Sequence, residues 1–496
     1  MNISRPLRSF RGGTSAVVVG LLALGLVAAA ALLVRASSAA FVVFVVELLA
    51  IFALATLRWP RAMLVVVVLA PILDRFVIAP LIPAQVGAVA QYFSEALLAL
   101  VGTVLLAVSL RDGRFMPAVR HPATIAVAAF VALGLVSALI NGVPLLAVAA
   151  GFFYTLDAVA LFYLCRLAGF SHRQAVLAIG AVGAAVVLMA LIAVGQRVLG
   201  PNILGLGVFP GRSGETARIG SIVQNPNALG SLIALILPFS LFGLVRLPSR
   251  RTRWAMAAAA LVLAMALLLT YSRGSWLGVL FGTVAVALLL DRKVLLAAIG
   301  VGALAFLLVN VMPRDVLVGS STGPARPPSD FNIIDTTAER VGNVGGGRDL
   351  RTLLALNAIP ILRDHPLVGV GPGRYGGAAA AHFPSPVYLQ YGTNKLLRFE
   401  FQQTVDNFWL HLLIEAGILG AAAFIASIGL VAVALVRTVR RAAGSRYVMV
   451  AGILVATAAM SIIAGTTMSL EGNTSAFMFW FVLGIGSLYG ADPGPA

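Results

Sequence analysis

The feature that constrains this chain most is a series of apolar runs, each about 18 to 23 residues long, recurring from near residue 15 to residue 490. A helix needs about 20 apolar residues to cross the roughly 30 Å hydrocarbon layer of a bilayer. Inside that layer every backbone N–H and C=O must be satisfied within its own segment or in a closed barrel. Runs this long and continuous select helices over barrel strands. Hydrophobic residues make up 60% of the 496 and charged residues only 11%, with a mean hydropathy of +1.00. So few charges cannot cover a water-facing surface, which excludes a soluble globular chain. The expected fold is all-α: a polytopic transmembrane helix bundle of about fourteen spans with one large extracytoplasmic loop.

The spans are expected at 15–34, 37–56, 62–82, 93–110, 122–140, 143–165, 174–196, 226–245, 254–270, 275–290, 294–312, 407–436, 447–465 and 474–490. The third contains Asp74 and Arg75, and rearranging it around a re-entrant segment would give twelve or thirteen spans. Arg and Lys in short loops accumulate on the cytoplasmic side. Every second connection here is basic: Arg5/Arg8/Arg11, Arg58/Arg61, Arg111/Arg114/Arg120, Arg166/Arg173, Arg246/Arg250/Arg251/Arg253, Arg292/Lys293 and Arg437/Arg440/Arg441/Arg446. The intervening short connections carry almost none, Arg35 and Arg273 being the main exceptions. The alternation implies an even number of spans with both termini cytoplasmic. It also explains most of the net charge of +17, leaving affinity for anionic membrane lipids as a by-product and no nucleic-acid partner to invoke.

The single cysteine, Cys165, lies in an apolar run, so neither a disulfide framework nor a thiolate metal site is expected. Ionisable residues assigned to spans are Glu47, Asp74, Arg75, Asp157, Glu415 and Glu471, and such residues are functional-site candidates by default. Two connections are long, and both fall on the extracytoplasmic side. They divide the chain into N-terminal helices (1–196), central helices with an outer loop at 197–225 (197–312), a large extracytoplasmic loop (313–405) and C-terminal helices (406–496). Connections this long usually carry function. Within the large loop, 319–330 is rich in Ser, Gly and Pro, 349–363 reads as a helix, and Gly369, Gly371 and Gly373 shape a tight turn leading to Arg374.

The outer loops hold eleven arginines, among them Arg197, Arg212, Arg218, Arg348, Arg351, Arg374 and Arg398. Positive charge on this face opposes the topology rule. Arg suits phosphate, because its planar fork makes bidentate, charge-assisted bonds. A lipid-linked diphosphate is one ligand class that fits; solvation of an ordinary loop is the bland reading.

Four strings resemble the O-antigen ligase and O-antigen polymerase family, and they occur in that family's order over about residues 218–420. Arg218-Ile-Gly-Ser-Ile-Val-Gln-Asn-Pro-Asn-Ala-Leu-Gly230 resembles its R…G…NPN entrance to a helix. Thr270-Tyr-Ser-Arg-Gly-Ser-Trp-Leu-Gly278 is similar to its T-x-S-R-G-x-x-L-G turn. Gly347-Arg348, followed by a helix and Asp364-His-Pro-Leu-Val-Gly-Val-Gly371, resembles its G-R…hPl-GvG stretch. Asp406-Asn-Phe-Trp-Leu410 with Glu415-Ala-Gly-Ile-Leu-Gly420 is similar to its H-N-x-x-L…E-x-G-x-x-G helix.

The resemblance implies a metal-independent, cofactor-free glycosyltransferase at the outer face of the inner (plasma) membrane. It would move a glycan from an undecaprenyl-diphosphate-linked donor to a sugar hydroxyl on a glycan or glycolipid acceptor. Ligases use the lipid A core as acceptor, and polymerases use another lipid-linked repeat. Carried over by residue, Arg273 and Arg348 are diphosphate ligands at the catalytic centre. Arg218, Asn225, Asn227, Arg374, Asn407, His411 and Glu415 are expected on the substrate side, and no metal-ligand set is expected. Where the ligases place a histidine before the asparagine, thought to be their general base, this chain has Asp406. That departure favours a polymerase-like activity. Asp406 reads equally as a base and as the cap of the helix beginning near Asn407. A lipid-linked glycan transporter is the alternative from another class; it predicts broken helices at corresponding positions of two internal repeats.

Overall fold

A computed structural model describes residues 49–73, 92–200, 202–206, 218–312, 350–383, 385–399, 404–471 and 474–490. Among these residues the chain is helical and contains no strand. The helices that build the bundle are α1 (Pro60–Leu73), α2 (Phe93–Arg111), α3 (Pro122–Ile140), α4 (Leu145–Leu156), α5 (Val159–Ala168), α6 (His172–Leu199) and α7 (Pro226–Arg246). They are followed by α8 (Arg250–Leu269), α9 (Arg273–Leu290), α10 (Arg292–Val311), α11 (Leu350–Asp364), α12 (Ala378–His382), α13 (Phe408–Val439), α14 (Gly444–Ile463) and α15 (Thr474–Gly490).

Nine of the described helices are long and apolar enough to cross a membrane, and the bent pair α4/α5 would make a tenth. α1 and α15 are shorter apolar helices. The expected span at 15–34 and most of that at 37–56 lie outside the described residues, as do Glu47, Asp74, Arg75 and the 319–330 segment. The count of fourteen is therefore neither reached nor refuted.

The expected continuous span at 143–165 requires correction. It is two helices meeting at 55°, broken at Asp157–Ala158. The carboxylate of Asp157 accepts the N–H of the next residue, Ala158, at 2.5 Å, a local bond that competes with helix continuation. Glu471 is likewise not within a span. It lies in the connection between α14 and α15.

Apolar helices in lipid gain little from hydrophobic burial against one another, so close backbone approach and interhelical bonds decide how they pack. α9 meets α14 through glycines one turn apart. A Cβ on Gly278 would lie 2.7 Å from the Ala459 carbonyl oxygen and 2.5 Å from Ile463 Cγ1. One on Gly282 would lie 2.9 Å from Ala459 N. α7 is deeply buried, with every residue from Leu229 to Gly243 inside the bundle. Replacing Gly278 with leucine should part α9 from α14 and cost about 1–3 kcal/mol, read as a lowered thermal midpoint of the detergent-solubilised protein.

The ends of the helices sort into two sets. At one end basic side chains cap the bundle. Arg61 Nε donates to the Gly169 carbonyl at 2.8 Å, and Arg166 to the Ala118 carbonyl at 2.6 Å and Ser487 Oγ at 3.1 Å. Arg246 pairs with Asp291 at 2.5 Å and lies over the Tyr447 ring. Carbonyls at helix C-termini lack intrahelical partners, and cations satisfy them. The large loop packs against the other end.

Candidate functional site

At the loop end, the N-termini of α7, α9 and α13 are tied together. Asn225 caps α7, its side chain accepting the N–H groups of Asn227 at 2.9 Å and Ala228 at 3.1 Å, and Pro226 fills the first helical position. Arg218 then bridges two motifs. Its Nη2 donates to Asn227 Oδ1 at 2.7 Å and its Nε to the Thr270 carbonyl at 2.9 Å. The Thr270–Arg273 turn starts α9, with Arg273 as its first, half-buried residue. Gly274 packs on Thr466 after the end of α14, and the first N–H of α13, from Phe408, donates to the Ala464 carbonyl at 2.8 Å. Helix N-termini carry partial positive charge, and two guanidinium groups at such ends reinforce it. The arrangement is suited to an anion.

Next to this cluster the large loop enters the bundle. α13 is interrupted at Gly417, whose φ of 65° and ψ of −174° only glycine adopts readily. The segment 366–371, which begins in a turn, fills the break. Ile418 and Leu419 donate to the carbonyls of Pro366 (2.9 Å) and Leu367 (3.1 Å), while Val370 and Gly371 donate to those of Ile414 and Glu415, both at 3.0 Å. Four groups left unpaired by the break are thereby satisfied, as non-helical backbone within a bundle requires. Ser137 Oγ and Asn141 Nδ2 of α3 and its cap hold the Gly369 carbonyl from the other side, at 3.1 and 3.0 Å. A Cβ on Gly369, where φ is 70°, would lie 2.5 Å from the backbone of Glu415. Gly369→Ala should thus detach the loop from α13 at a cost of about 1–3 kcal/mol, measured as faster proteolysis between residues 350 and 405.

Beyond the break the turn 373–378 is held by side chains together with two backbone bonds, Gly377 N–H to the Tyr375 carbonyl at 2.9 Å and Val405 N–H to the Gly376 carbonyl at 3.1 Å. Glu415 accepts the N–H groups of Gly373 at 2.9 Å and Tyr375 at 2.7 Å. His411 Nδ1 lies 2.5 Å from the Tyr375 carbonyl, and Glu471 accepts the Ala378 N–H at 2.9 Å. Tyr388 Oη accepts that of Gly376 at 2.7 Å. Burial pushes the phenols of Tyr375 and Tyr388 well above their ordinary range, so both stay protonated. The turn presents Arg374, half-buried, with Nη2 donating to the Gly142 carbonyl at 3.3 Å.

Asp406 stands just before α13 with φ at 53°, a left-handed conformation that Asp tolerates better than most residues. The cap of α13 is Asn407, whose side chain accepts the Leu410 N–H at 3.0 Å. The cap reading of Asp406 is thereby corrected. Its carboxylate instead meets Arg351 of α11, Nη2 to Oδ2 2.7 Å, and keeps 31% of its side-chain surface. His411 and Glu471 keep only 3% each, so Asp406 is open to solvent and they are not.

Arg218, Asn225 and Asn227 are therefore joined to the turn that carries Arg273, and Arg374, His411 and Glu415 belong to the docked turn. Asp406 and Asn407 stand where α13 begins, against the 464–467 connection. Arg348 lies outside the described residues. Sequence reasoning missed Arg351 as the partner of Asp406, 55 residues away, and Glu471 as part of the turn. Among the described residues no three His, Cys, Asp or Glu side chains come together as metal ligands.

Residues 258–425 match the family model described as O-antigen ligase. The chain carries an O-antigen ligase family domain. The match runs from within α8 to within α13 and includes the Thr270–Gly278 turn, the segment that fills the break and the start of α13. The Arg218–Gly230 motif precedes it, yet Arg218 is bonded into the O-antigen ligase domain through Thr270. No curated protein matches the chain.

Proposed function

We propose that this protein is a polymerase-like glycosyltransferase acting at the extracytoplasmic face of the inner membrane, with both termini cytoplasmic. Its donor is a glycan on undecaprenyl diphosphate and its acceptor a sugar hydroxyl of a glycan or glycolipid. The observation that carries the reading is the arrangement at the loop end. A partly exposed carboxylate, Asp406, stands at the same end of the bundle as Arg218, Arg273 and Arg374, beside the N-terminus of α13.

In the reaction, the acceptor hydroxyl oxygen bonds to the anomeric carbon of the donor. The bond from that carbon to the diphosphate oxygen breaks, and the electron pair leaves with the diphosphate. Asp406 takes the hydroxyl proton, with Arg351 orienting the carboxylate. Arg273 and Arg218, at helix N-termini, stabilise the charge that grows on the leaving diphosphate, a preorganised role that needs no metal. Arg374 meets the same group from the turn. Asn225 and Asn407 cap the helices whose ends line the site, and Asn227 fixes Arg218.

Purified protein in lipid vesicles, given the donor with either a second lipid-linked repeat or lipid A core as acceptor, should build a ladder of longer lipid-linked glycans. Glycan on lipid A core alone would make it a ligase. Donor carried across the vesicle without bond exchange would make it a transporter.

A further inference from the structure

The buried acids and imidazole beneath the turn pose a question of proton count. Nδ1 of His411 is 2.5 Å from the Tyr375 carbonyl oxygen, and because a carbonyl only accepts, Nδ1 carries a hydrogen. Nε2 lies 3.3 Å from Glu471 Oε2, and neither atom makes a hydrogen bond among the described residues. With His411 neutral and Glu471 ionised, this contact sets lone pair against lone pair in a place closed to water. One further proton resolves it, whether as imidazolium with carboxylate or as imidazole with carboxylic acid. The other oxygen of Glu471 accepts the Ala378 N–H. Gly377 leaves the pair just enough room, since a Cβ there would lie 2.5 Å from His411 Cε1 and 2.8 Å from Glu471 Oε1.

We infer that His411 and Glu471 share one buried proton and act together as positioning residues. That proton holds the 373–378 turn closed and so fixes Arg374 in place. Other ionisable groups face the pair from each element around it. Glu415 on α13 is 3.8 Å from Nδ1 and is occupied by two backbone N–H groups. Tyr375 and Tyr388 come from the loop. Glu95 of α2, Tyr154 of α4 and Asp157 at the bend between α4 and α5 lie within electrostatic reach of one another or of Glu471. These are acids, and none of them supplies a positive charge that could replace the shared proton. Above about pH 7, where an exposed imidazole and carboxylate carry no such proton, the closed turn binds one proton more than the open one. Its stability is therefore present at acid and neutral pH and is lost as the pH rises and the proton leaves. That the fixed Arg374 then meets a donor diphosphate rests on the function proposed above; the proton-held turn does not.

Glu471→Gln separates the proton from the shape. The amide oxygen still accepts the Ala378 N–H, and the amide nitrogen donates to a neutral His411 Nε2, so every bond survives without a titrating proton. Amide hydrogen exchange of residues 373–378, in the full-length protein in nanodiscs and corrected for intrinsic rates, reads the turn directly. Wild-type protection should fall at least tenfold between about pH 6 and pH 10. Glu471→Gln should match wild type at the lower pH and stay flat. Glu471→Ala should be unprotected throughout. A flat wild-type profile, or the same alkaline loss in Glu471→Gln, overturns the inference, and the wild-type profile needs no variant to fold. If exchange behaves as expected while the donor KM of Glu471→Ala equals that of wild type, the turn stands and the role of Arg374 in the proposed function falls.

Discussion

Replacing Arg273 with alanine is expected to lower glycan transfer by about 10²–10³-fold, the usual loss when one preorganised group aimed at developing charge is removed. The protein should still insert and purify as wild type does. Arg273 is the first residue of α9, so its backbone conformation is unremarkable and alanine fits the helix better. Its cost to the fold is the reverse: a cation at a helix N-terminus opposes the macrodipole by a few tenths of a kcal/mol or more. Lysine would keep the charge and lose the fork, and should recover only part of the rate. Equal transfer by wild type and Arg273→Ala would remove this arginine from the site.

The second large effect is expected at Asp406. Asparagine can still accept a hydrogen bond from Arg351 but takes no proton, so Asp406→Asn should cost about 10²–10⁴-fold in transfer. Donor binding should hardly change. Histidine is the residue that the ligases are thought to use at this position. Asp406→His should therefore keep more activity than Asp406→Asn, despite losing the ion pair with Arg351. A partner role alone predicts the opposite order, because asparagine preserves the contact with Arg351 better than histidine does. The comparison of the two variants thus separates a base from a structural anchor. Arg351→Ala should have the smaller effect, through misorientation of the carboxylate.

Much of the bundle was legible in the sequence because a span is a local property. Apolar runs place α2, α3 and α6 to α10 within a few residues of the helices that form, with α13, α14 and α15 similarly close. What the sequence concealed was caused at a distance. Gly417 reads as one more small residue in an apolar helix. Its break exists because residues 366–371, about fifty positions earlier, supply the four hydrogen bonds that the helix forgoes. Asp157 gave a partial signal as an ionisable residue in a span, but a charge alone does not announce a 55° bend.

The site was legible in the same uneven way. Motif order brought out Arg218, Asn225, Asn227 and Arg273, and the two motifs that carry them are joined by the bond from Arg218 to the Thr270 carbonyl. Asp406 and Asn407 are adjacent and chemically alike, so spacing could not decide which of them caps α13. The Leu410 N–H decides it for Asn407. The interruptions in α4/α5 and in α13 would suit a transporter if they stood at a midplane cavity in matching repeats. Here the break in α13 is filled by the chain's own loop, which suits a fixed floor beneath an outer site better than a moving gate.

The central claim is that the loop end of this bundle exchanges a glycosidic bond with a lipid diphosphate as leaving group. It is tested most directly by measuring, in one vesicle preparation, glycan joined to acceptor and lipid diphosphate released. The account predicts one molecule of lipid diphosphate for each glycan joined, with both signals lost together in Asp406→Asn. Glycan crossing the vesicle with its lipid diphosphate still attached, and at the same rate in Asp406→Asn, would contradict it.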